Sequence, residues 1–407
     1  MKRVCTEHLQ PGMKLNKDVP GADGSVFLAR GTVLTSEQIE SLIDLGISWV
    51  RIEFQDVNEY KQDLARRCEE YVRQFFYYVN PDIPVFSAMY VETLKMAFDN
   101  LEKENDWFLP CDQELRANIH QSSRDLFFKG EGGPEEIVNH EMELISVPDT
   151  YFKLQEILKA PDSTAKHVAD VVRLDVNLVA KLMRLVNSPL YRAQEKVESI
   201  ERAVARIGVE GVSSLALGIT AMPLFKDIPP DLIDVSTFWR HSISCAIFSQ
   251  EIAREAGFEE EKFFTVGLLH DVGRLLLLKN LPQASVQFLL HARGSMIPLV
   301  EAEELILGYN HAKLGEHLLK TWGCPEYFLN LVSAHHSPGD INMSRDAAVI
   351  QLADNMANAF AIAQGGSYVL PGMEEEMWEL LNIDKDTVIS MYSSHGEALK
   401  EITQLLV

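Results

Sequence analysis

Seven residues in the second half of the chain have the chemistry of a metal site: His241, His270, Asp271, His311, His335, His336 and Asp354. Neutral imidazoles and carboxylates are good ligands for Fe, Mn, Ni or Zn. One or two such divalent transition metals would satisfy all seven side chains together, with an aspartate able to bridge two ions through its two oxygens. A pair of ions roughly 3.5–4 Å apart can activate a water for attack on phosphorus. The reaction such a set suggests is hydrolysis of a phosphate ester.

The surroundings of these residues make them unusual. His270 and Asp271 stand in the middle of "GLLHDVGRLLL", a run apolar enough to be buried on most sides. A buried carboxylate without a partner costs several kcal/mol or more, on the order of the effective desolvation of an ion. His241 opens "HSISCAIFSQEI" and shares a helical face with Cys245, Phe248 and Ile252. His311 shares a face with Gly315, Leu318 and Trp322, and Asp354 with Ala347, Ile350, Ala357 and Ala361. His335 and His336 follow "LVSA" near a helix end. His317 lies roughly 120° around the helix from His311 and is left out. Taken singly, each of the seven can be a core residue with one hydrogen bond, and Asp271 can pair with Arg274 three residues on. Taken together they require a separate buried partner each, or one shared metal site.

Stepping outward, helices must supply these faces. From "FKGEGGPEE", a Gly/Pro/charge-rich linker at Phe128–Glu136, the pattern is helical almost to the end, as in "KHVADVVRLDVNLVAKLMRLVNSPLY". Residues 56–138 read as a helical connector rich in aromatics, suited to packing or to a homodimer contact. Residues 1–55 read as a small mixed α+β module. "KLNKDVPGADGSVFLARG" gives two short strands about a turn, and "LTSEQIESLIDLGI" gives a helix with a Thr35/Gln38 capping box and a stop at Gly46. "SWVRIE" reads as a closing strand. The fold class is mostly α, with a small α+β N-terminal module and closing helices over 366–407. His395, in that last stretch, is read as exposed.

Composition narrows the functions. The 407 residues include 37 Lys+Arg and 60 Asp+Glu, a formal net charge of −23. That repels a phosphate backbone and argues against broad nucleic-acid binding. The five cysteines, Cys5, Cys68, Cys111, Cys245 and Cys324, are scattered without a CxxC pair, which suits a reducing cytosol. No signal peptide is evident, and no apolar run reads as reaching the ~18 residues of a membrane span. The expectation is a cytoplasmic protein with no membrane contact.

The order His, His-Asp, His, His-His, Asp resembles the HD superfamily of metal-dependent phosphohydrolases. The closer resemblance is to the HDOD domain, a divergent branch found in bacterial signalling proteins. "ISVPDTYFKLQEIL", "LDVNLVAKLMRLVNSPLY", "ESIERAVARIGVEGV", "FWRHSISCAIFSQEIAREAGF", "GLLHDVGRLLLL", "HAKLGEHLLKTWGCPE" and "SAHHSP" follow that domain in order. The resemblance implies an all-helical HDOD domain over residues 139–365, with an HD-type metal site within 236–360. The opening "LQPGMKLNKDVPGADGSVFLARGTVLTSEQIESLIDLGISWVRI" separately resembles a module that precedes HD-GYP phosphodiesterase domains.

Residue by residue, the resemblance makes His270 and Asp271 the HD pair, with Asp271 the bridge. It sets His241 and Asp354 around one metal, and His311, His335 and His336 around the other. HD-GYP enzymes carry a Lys three residues after the catalytic aspartate; here Arg274 stands there, and Arg can still hold a phosphate. Asp271 and Arg274 are thus the candidate catalytic residues. HD-GYP enzymes also carry Gly-Tyr-Pro after the His-His pair, where this chain reads "HHSPGDINMSRD". Efficient cyclic di-GMP hydrolysis is therefore not expected. HDOD domains are described as signalling or output modules without an established activity. The resemblance thus implies a bacterial signal-transduction protein with a protein partner. The alternative is an active phosphohydrolase on a cyclic nucleotide, cyclic dinucleotide or other phosphate ester.

Overall fold

The computed structural model describes residues 2–6, 9–21, 24–47, 49–53, 57–102, 125, 132–144, 152–154, 156–157, 160, 164–191, 196–225, 228, 232–337, 344–361 and 367–406. Its contacts divide the chain into two units, Met1–Tyr77 with Tyr90–Ser123, and Tyr78–Met89 with Arg124–Val407.

The first unit opens with the mixed module. Strands β1 (Lys2–Cys5), β2 (Lys14–Leu15) and β5 (Trp49–Glu53) form an antiparallel sheet in the order β1-β5-β2. Strands β3 (Val19–Pro20) and β4 (Val26–Leu28) form a separate hairpin. Strand β5 alternates, with Val50 and Ile52 buried and Arg51 exposed. Helix α1 (Ser36–Asp44) starts at the expected capping box. Gln38 N donates to the Thr35 hydroxyl at 3.3 Å, and Thr35 N donates back to the Gln38 amide oxygen at 3.1 Å. The helix ends at Gly46, whose φ of +69° a side chain would disfavour. Ile39 and Leu42 of α1 pack with Leu15, Leu34, Val50 and Ile52 into one small core. Helix α2 (Val57–Phe75) buries Cys68, Tyr71, Val72 and Phe75, the i, i+3, i+4, i+7 stripe of one helical face. Helix α3 (Pro84–Glu102) follows.

The second unit is helical. In order come α4 (Pro134–Leu144), α5 (Ala165–Val172), α6 (Val176–Val186), α7 (Ile200–Ala221) and α8 (Val235–Glu255). Then follow α9 (Glu261–Leu269), α10 (Val272–Asn280), α11 (Pro282–Ser295), α12 (Leu299–Leu307) and α13 (His311–Thr321). Helices α14 (Glu326–Ala334), α15 (Ser344–Ala361), α16 (Glu375–Leu381) and α17 (Lys385–Leu406) complete it. The first four residues of the expected linker, 128–131, lie outside the described residues; Pro134 opens α4.

Two readings need correction. The stretch Ile200–Leu224 does carry an 18-residue window of mean hydropathy 1.4, long and apolar enough by composition to cross a membrane. Of that window 67% is buried inside the protein, as in a core helix, and Gly208 breaks it with non-helical φ and ψ of 78° and 168°. His395 is not exposed but fully buried. Its Nε2 lies 2.6 Å from the Ser244 hydroxyl of α8, and its ring stacks on Phe248 at 3.7 Å between centroids. Spacings of four, three and four residues on α17 place Val388, Tyr392, His395 and Leu399 on one inward face, and the histidine is carried in with it.

Helix α8 is the axis of the unit. Asp234 caps it by accepting from Ser236 N and Thr237 N. Every residue from His241 to Gln250 is buried, as a helix surrounded by others requires. It packs against α9, α15 and α17, while α10 packs on α13 and α13 on α14. These contacts bring the five helix ends and faces of the next section together.

Candidate metal centre

The HD pair sits where one helix stops and the next begins. His270 closes α9 in helical geometry, Asp271 leaves it at φ −97° and ψ 7°, and α10 restarts at Val272. The two glycines of "GLLHDVGRLLL" explain how so short a break is held. A Cβ on Gly267 would lie 2.8 Å from the Ala246 Cα of α8, and one on Gly273 would lie 2.0 Å from the His311 carbonyl of α13. Only glycine lets both neighbouring backbones approach this closely.

The structure brings all seven predicted residues into one buried cluster. His241 Nε2 is 3.2 Å from Asp354 Oδ1 and 3.8 Å from Asp271 Oδ2. His270 Nε2 is 3.4 Å and 3.5 Å from the same two atoms. The other oxygen of Asp271, Oδ1, faces His311 Nε2 at 3.0 Å and His335 Nε2 at 3.8 Å. His336 Nε2 stands 3.0 Å from His311 Nε2. The donors fall into two groups, Asp271 with His311, His335 and His336, and His241 with His270 and Asp354. Within each, the ligand-competent atoms lie within 4.8 Å of one another. Asp271 thus turns one oxygen to each group.

The ring orientations test whether a metal fits. His270 Nδ1 lies 2.7 Å from the Gly267 carbonyl, and His335 Nδ1 lies 2.6 Å from the Val332 carbonyl. A carbonyl only accepts, so both Nδ1 atoms carry a proton and each ring turns its Nε2 inward, which in the neutral ring is the lone pair. His311 Nδ1 is held the same way by Glu303 Oε2 at 2.5 Å, which also accepts from His311 N at 2.8 Å. The inward Nε2 atoms of His241, His270 and His335, and both oxygens of Asp271, are buried without a hydrogen bond of proper geometry. Native interiors leave few such atoms unpaired. Five imidazoles and two carboxylates converge, three of the Nε2 atoms and both Asp271 oxygens without a hydrogen bond, a donor set that divalent transition metals fit.

Electrostatics keep both carboxylates ionised and two of the histidines neutral, whereas nearby acidic groups outweigh burial at His270 and at His311 and raise both, so a metal would have to displace a proton there. Burial pushes the Asp271 carboxyl up, but Arg274, then His270 and His311, outweigh it and hold it well below the carboxylate range. Burial likewise opposes ionisation of Asp354, and hydrogen bonding from His241 and His270 reverses the balance, so its carboxyl is lowered too. Burial, aided by His270 and His311, lowers His335 to about 3. His336 is lowered well below its ordinary value by burial and by its two imidazole neighbours, His335 and His311. Arg274 Nη1 lies 2.8 Å from Asp271 Oδ2, so the i+3 ion pair is present beside the converging histidines.

Two contributors were missed in the sequence. Glu303, fully buried on α12, orients His311; the available signal was a carboxylate in the inward stripe Leu299, Ala302, Glu303. Asn358, one turn after Asp354, donates to Asp354 Oδ1 at 2.8 Å; four-residue spacing would have found it. Pro338, Gly339 and Asp340, where Gly-Tyr-Pro was expected and not found, lie outside the described residues.

Residues 144–338 match the family model of the HDOD domain. That stretch encloses every residue of the cluster except Asp354. An HDOD domain protein with unknown function from Geobacter sulfurreducens superposes with a TM-score of 0.52 at 23% identity, over 67% of this chain and 97% of its own. A protein of Shewanella amazonensis SB2B named "Putative phosphohydrolase" superposes with a TM-score of 0.53 at 21% identity, over 68% of this chain and 100% of its own. An uncharacterized protein of Treponema pallidum (strain Nichols) is 22% identical over 193 residues, which are 47% of this chain and 37% of that protein. The chain therefore spans little more than a third of that relative's length. The ordered helices, the His-Asp pair at a helix break and the family match agree: residues 144–338 of this chain match the HDOD domain, and a small α+β module precedes them in sequence.

Proposed function

We propose that the protein is a bacterial signal-transduction component whose HDOD domain is an output module acting through a protein partner. In this reading His241, His270, Asp271, His311, His335, His336 and Asp354 hold one or two divalent metals, with Asp271 shared between the two groups. One observation carries the metal part: bare Nε2 atoms converge on two carboxylates while Nδ1 protons are fixed outward on carbonyls and Glu303. Such ions supply Lewis acidity when bound. The module role is supported by the depth of the cluster. Asp271 is 1% exposed, and Arg274, the side chain suited to clamp a phosphate, is 4% exposed and engaged with Asp271.

A phosphohydrolase is the second reading, favoured by the same arginine: a buried guanidinium beside a two-group donor set is what a phosphate ester would need. Cyclic di-GMP is not expected to be turned over efficiently, because the chain has Pro338, Gly339 and Asp340 in place of Gly-Tyr-Pro. Elemental analysis of the purified protein, followed by a phosphodiesterase screen with added Mn or Fe, separates the readings. Between one and two transition-metal ions per chain are expected, without turnover. Multiple turnover that disappears in Asp271→Ala would replace the module by an enzyme. Metal-free protein after purification and reloading would remove the metal from both readings.

A further inference from the structure

The N-terminal module carries a cleft of its own, of about 580 Å³, between the β3–β4 hairpin and β5. That volume lies within the range of small-molecule sites, about 300–1,000 Å³. Val19, which is buried, gives it an apolar floor, and Val26, 56% exposed, stands in its wall. Its polar side chains are Lys17, Asp18 and Arg51, and Trp49 lies beside them. Strand alternation sets Trp49 and Arg51 on the same outward face of β5, two residues apart, with the core residue Val50 between them.

The pairing of these charges is what sets the cleft apart. Lys14, nearby on β2, is ion-paired with Glu53 at 2.9 Å. Lys17 and Arg51 have no ion pair or side-chain hydrogen bond among the described residues, in a chain with 60 carboxylate side chains against 37 Lys+Arg. Asp18, the one acid lining the cleft among the described residues, already accepts the Arg30 backbone N–H through Oδ1 at 2.6 Å. Its second oxygen is left as an acceptor for a ligand's hydroxyl or N–H. Two uncommitted cations, an indole, an apolar floor and one acceptor recognise an anionic group joined to a flat ring that also bears donors.

We propose that this cleft binds a mononucleotide, with its phosphate between Lys17 and Arg51 and its base against Trp49. The guanidinium suits a phosphate because its N–H groups match two oxygens at once, and the ammonium adds a point charge. An aromatic side chain accepts any base, because every base has a π-face. The site therefore favours nucleotides as a class over one particular base. It is independent of the His/Asp cluster and of the function proposed for it.

The test uses the full chain, titrated with AMP, GMP, CMP and UMP by calorimetry and by tryptophan fluorescence. Trp49→Phe isolates the signal of that residue from the other four tryptophans. Saturable binding is expected, with quenching that is absent in Trp49→Phe. Affinity should fall tenfold or more in Lys17→Glu and in Arg51→Glu, and both variants should keep the wild-type melting curve because both side chains are exposed. Inorganic phosphate or the bare nucleosides should bind at least tenfold more weakly than the nucleotides. The proposal is overturned if the folded protein binds none of the four saturably at millimolar concentration. It is also overturned if both charge reversals leave binding unchanged, which would put the nucleotide elsewhere, or if phosphate alone binds as tightly as the nucleotides.

Discussion

Helix α8 buries two histidine contacts three residues apart, and they differ in kind. On one side His241 reaches Asp354 and Asp271, amid four other imidazoles. On another, Ser244 meets His395 of α17, whose ring also packs against those of Phe248 and Phe360. Both histidines are inaccessible. Among the described residues no carboxylate or second imidazole pairs with His395, and burial is what shifts its titration. At His241 several ligand-competent nitrogen and oxygen atoms of other residues face a common space. A buried histidine is therefore no sign of chemistry by itself. The convergence of bare acceptors is the sign, and the lone contact is a clasp between two helices.

Asp271→Ala should break the comparison most strongly. Its oxygens face both ligand groups and also hold Arg274 at 2.8 Å. Truncation leaves a buried guanidinium without its carboxylate, which costs on the order of 3–5 kcal/mol. Urea unfolding should show that loss, and elemental analysis should show metal content falling to near zero. His395→Ala should leave metal content unchanged. Full metal retention in Asp271→Ala would mean that the shared aspartate is not the bridge. A strong chelator should lower the melting temperature of wild-type protein, because each orphaned buried donor costs about 1–3 kcal/mol. It should shift the Asp271→Ala curve very little.

Gly273→Ala sharpens the point without touching a ligand. The added methyl would meet the His311 carbonyl and Gly315 N, both backbone atoms that cannot rotate away. Overpacking of this kind costs typically about 1–3 kcal/mol. Here it should also separate His311 from Asp271, so stability and metal content should fall together. A stable variant with wild-type metal would show that α10 and α13 can part without opening the cluster.

Glu303→Gln is subtler. The amide keeps the shape but weakens the hold on His311 Nδ1–H, and loss of such an outer partner typically costs about 10–100-fold in metal affinity. Competition with a chromogenic chelator would measure it. Unchanged affinity would assign Glu303 to packing alone.

What was legible in the sequence follows a physical division. The Thr35 capping box, the alternation of β5 and the inward faces of α8 and α15 are local patterns, and each is written in consecutive residues. The His-Asp pair was legible because a charged residue inside an apolar run demands a partner. Glu303 was not, because its partner His311 is on the next helix, across a turn whose geometry no periodicity encodes. His395 was misread for a related reason. Whether an inward stripe with one polar residue is covered depends on a hydroxyl 151 positions earlier. The run at 200–224 is hard to see in the sequence because charged and small residues interrupt it, although its mean hydropathy over an 18-residue helical window is high.

The clasp itself supplies the smallest expected effect. Burial lowers His395 from its ordinary value to about 3. Between that value and the model-peptide value of about 6.5, an unfolded chain binds a proton there that the folded chain does not. The contribution of the neutral buried ring is therefore fully present above pH ~6.5 and is lost as pH falls toward 3, by at most ~1.4 kcal/mol per pH unit. His395→Asn removes that titration together with the ring stacked on Phe248. At pH 8 the variant should be less stable than wild type by about 1–3 kcal/mol, the usual range for a buried polar change. Below pH 6.5 the two urea-unfolding curves should converge, because the wild type alone pays for excluding a proton. The titrating cluster around Asp271 is common to both proteins and cancels in the difference. A gap that stays constant from pH 8 to pH 4 would show that His395 keeps its proton in the folded state. Burial would then not hold the clasp's ring neutral, and its contrast with the cluster would be lost.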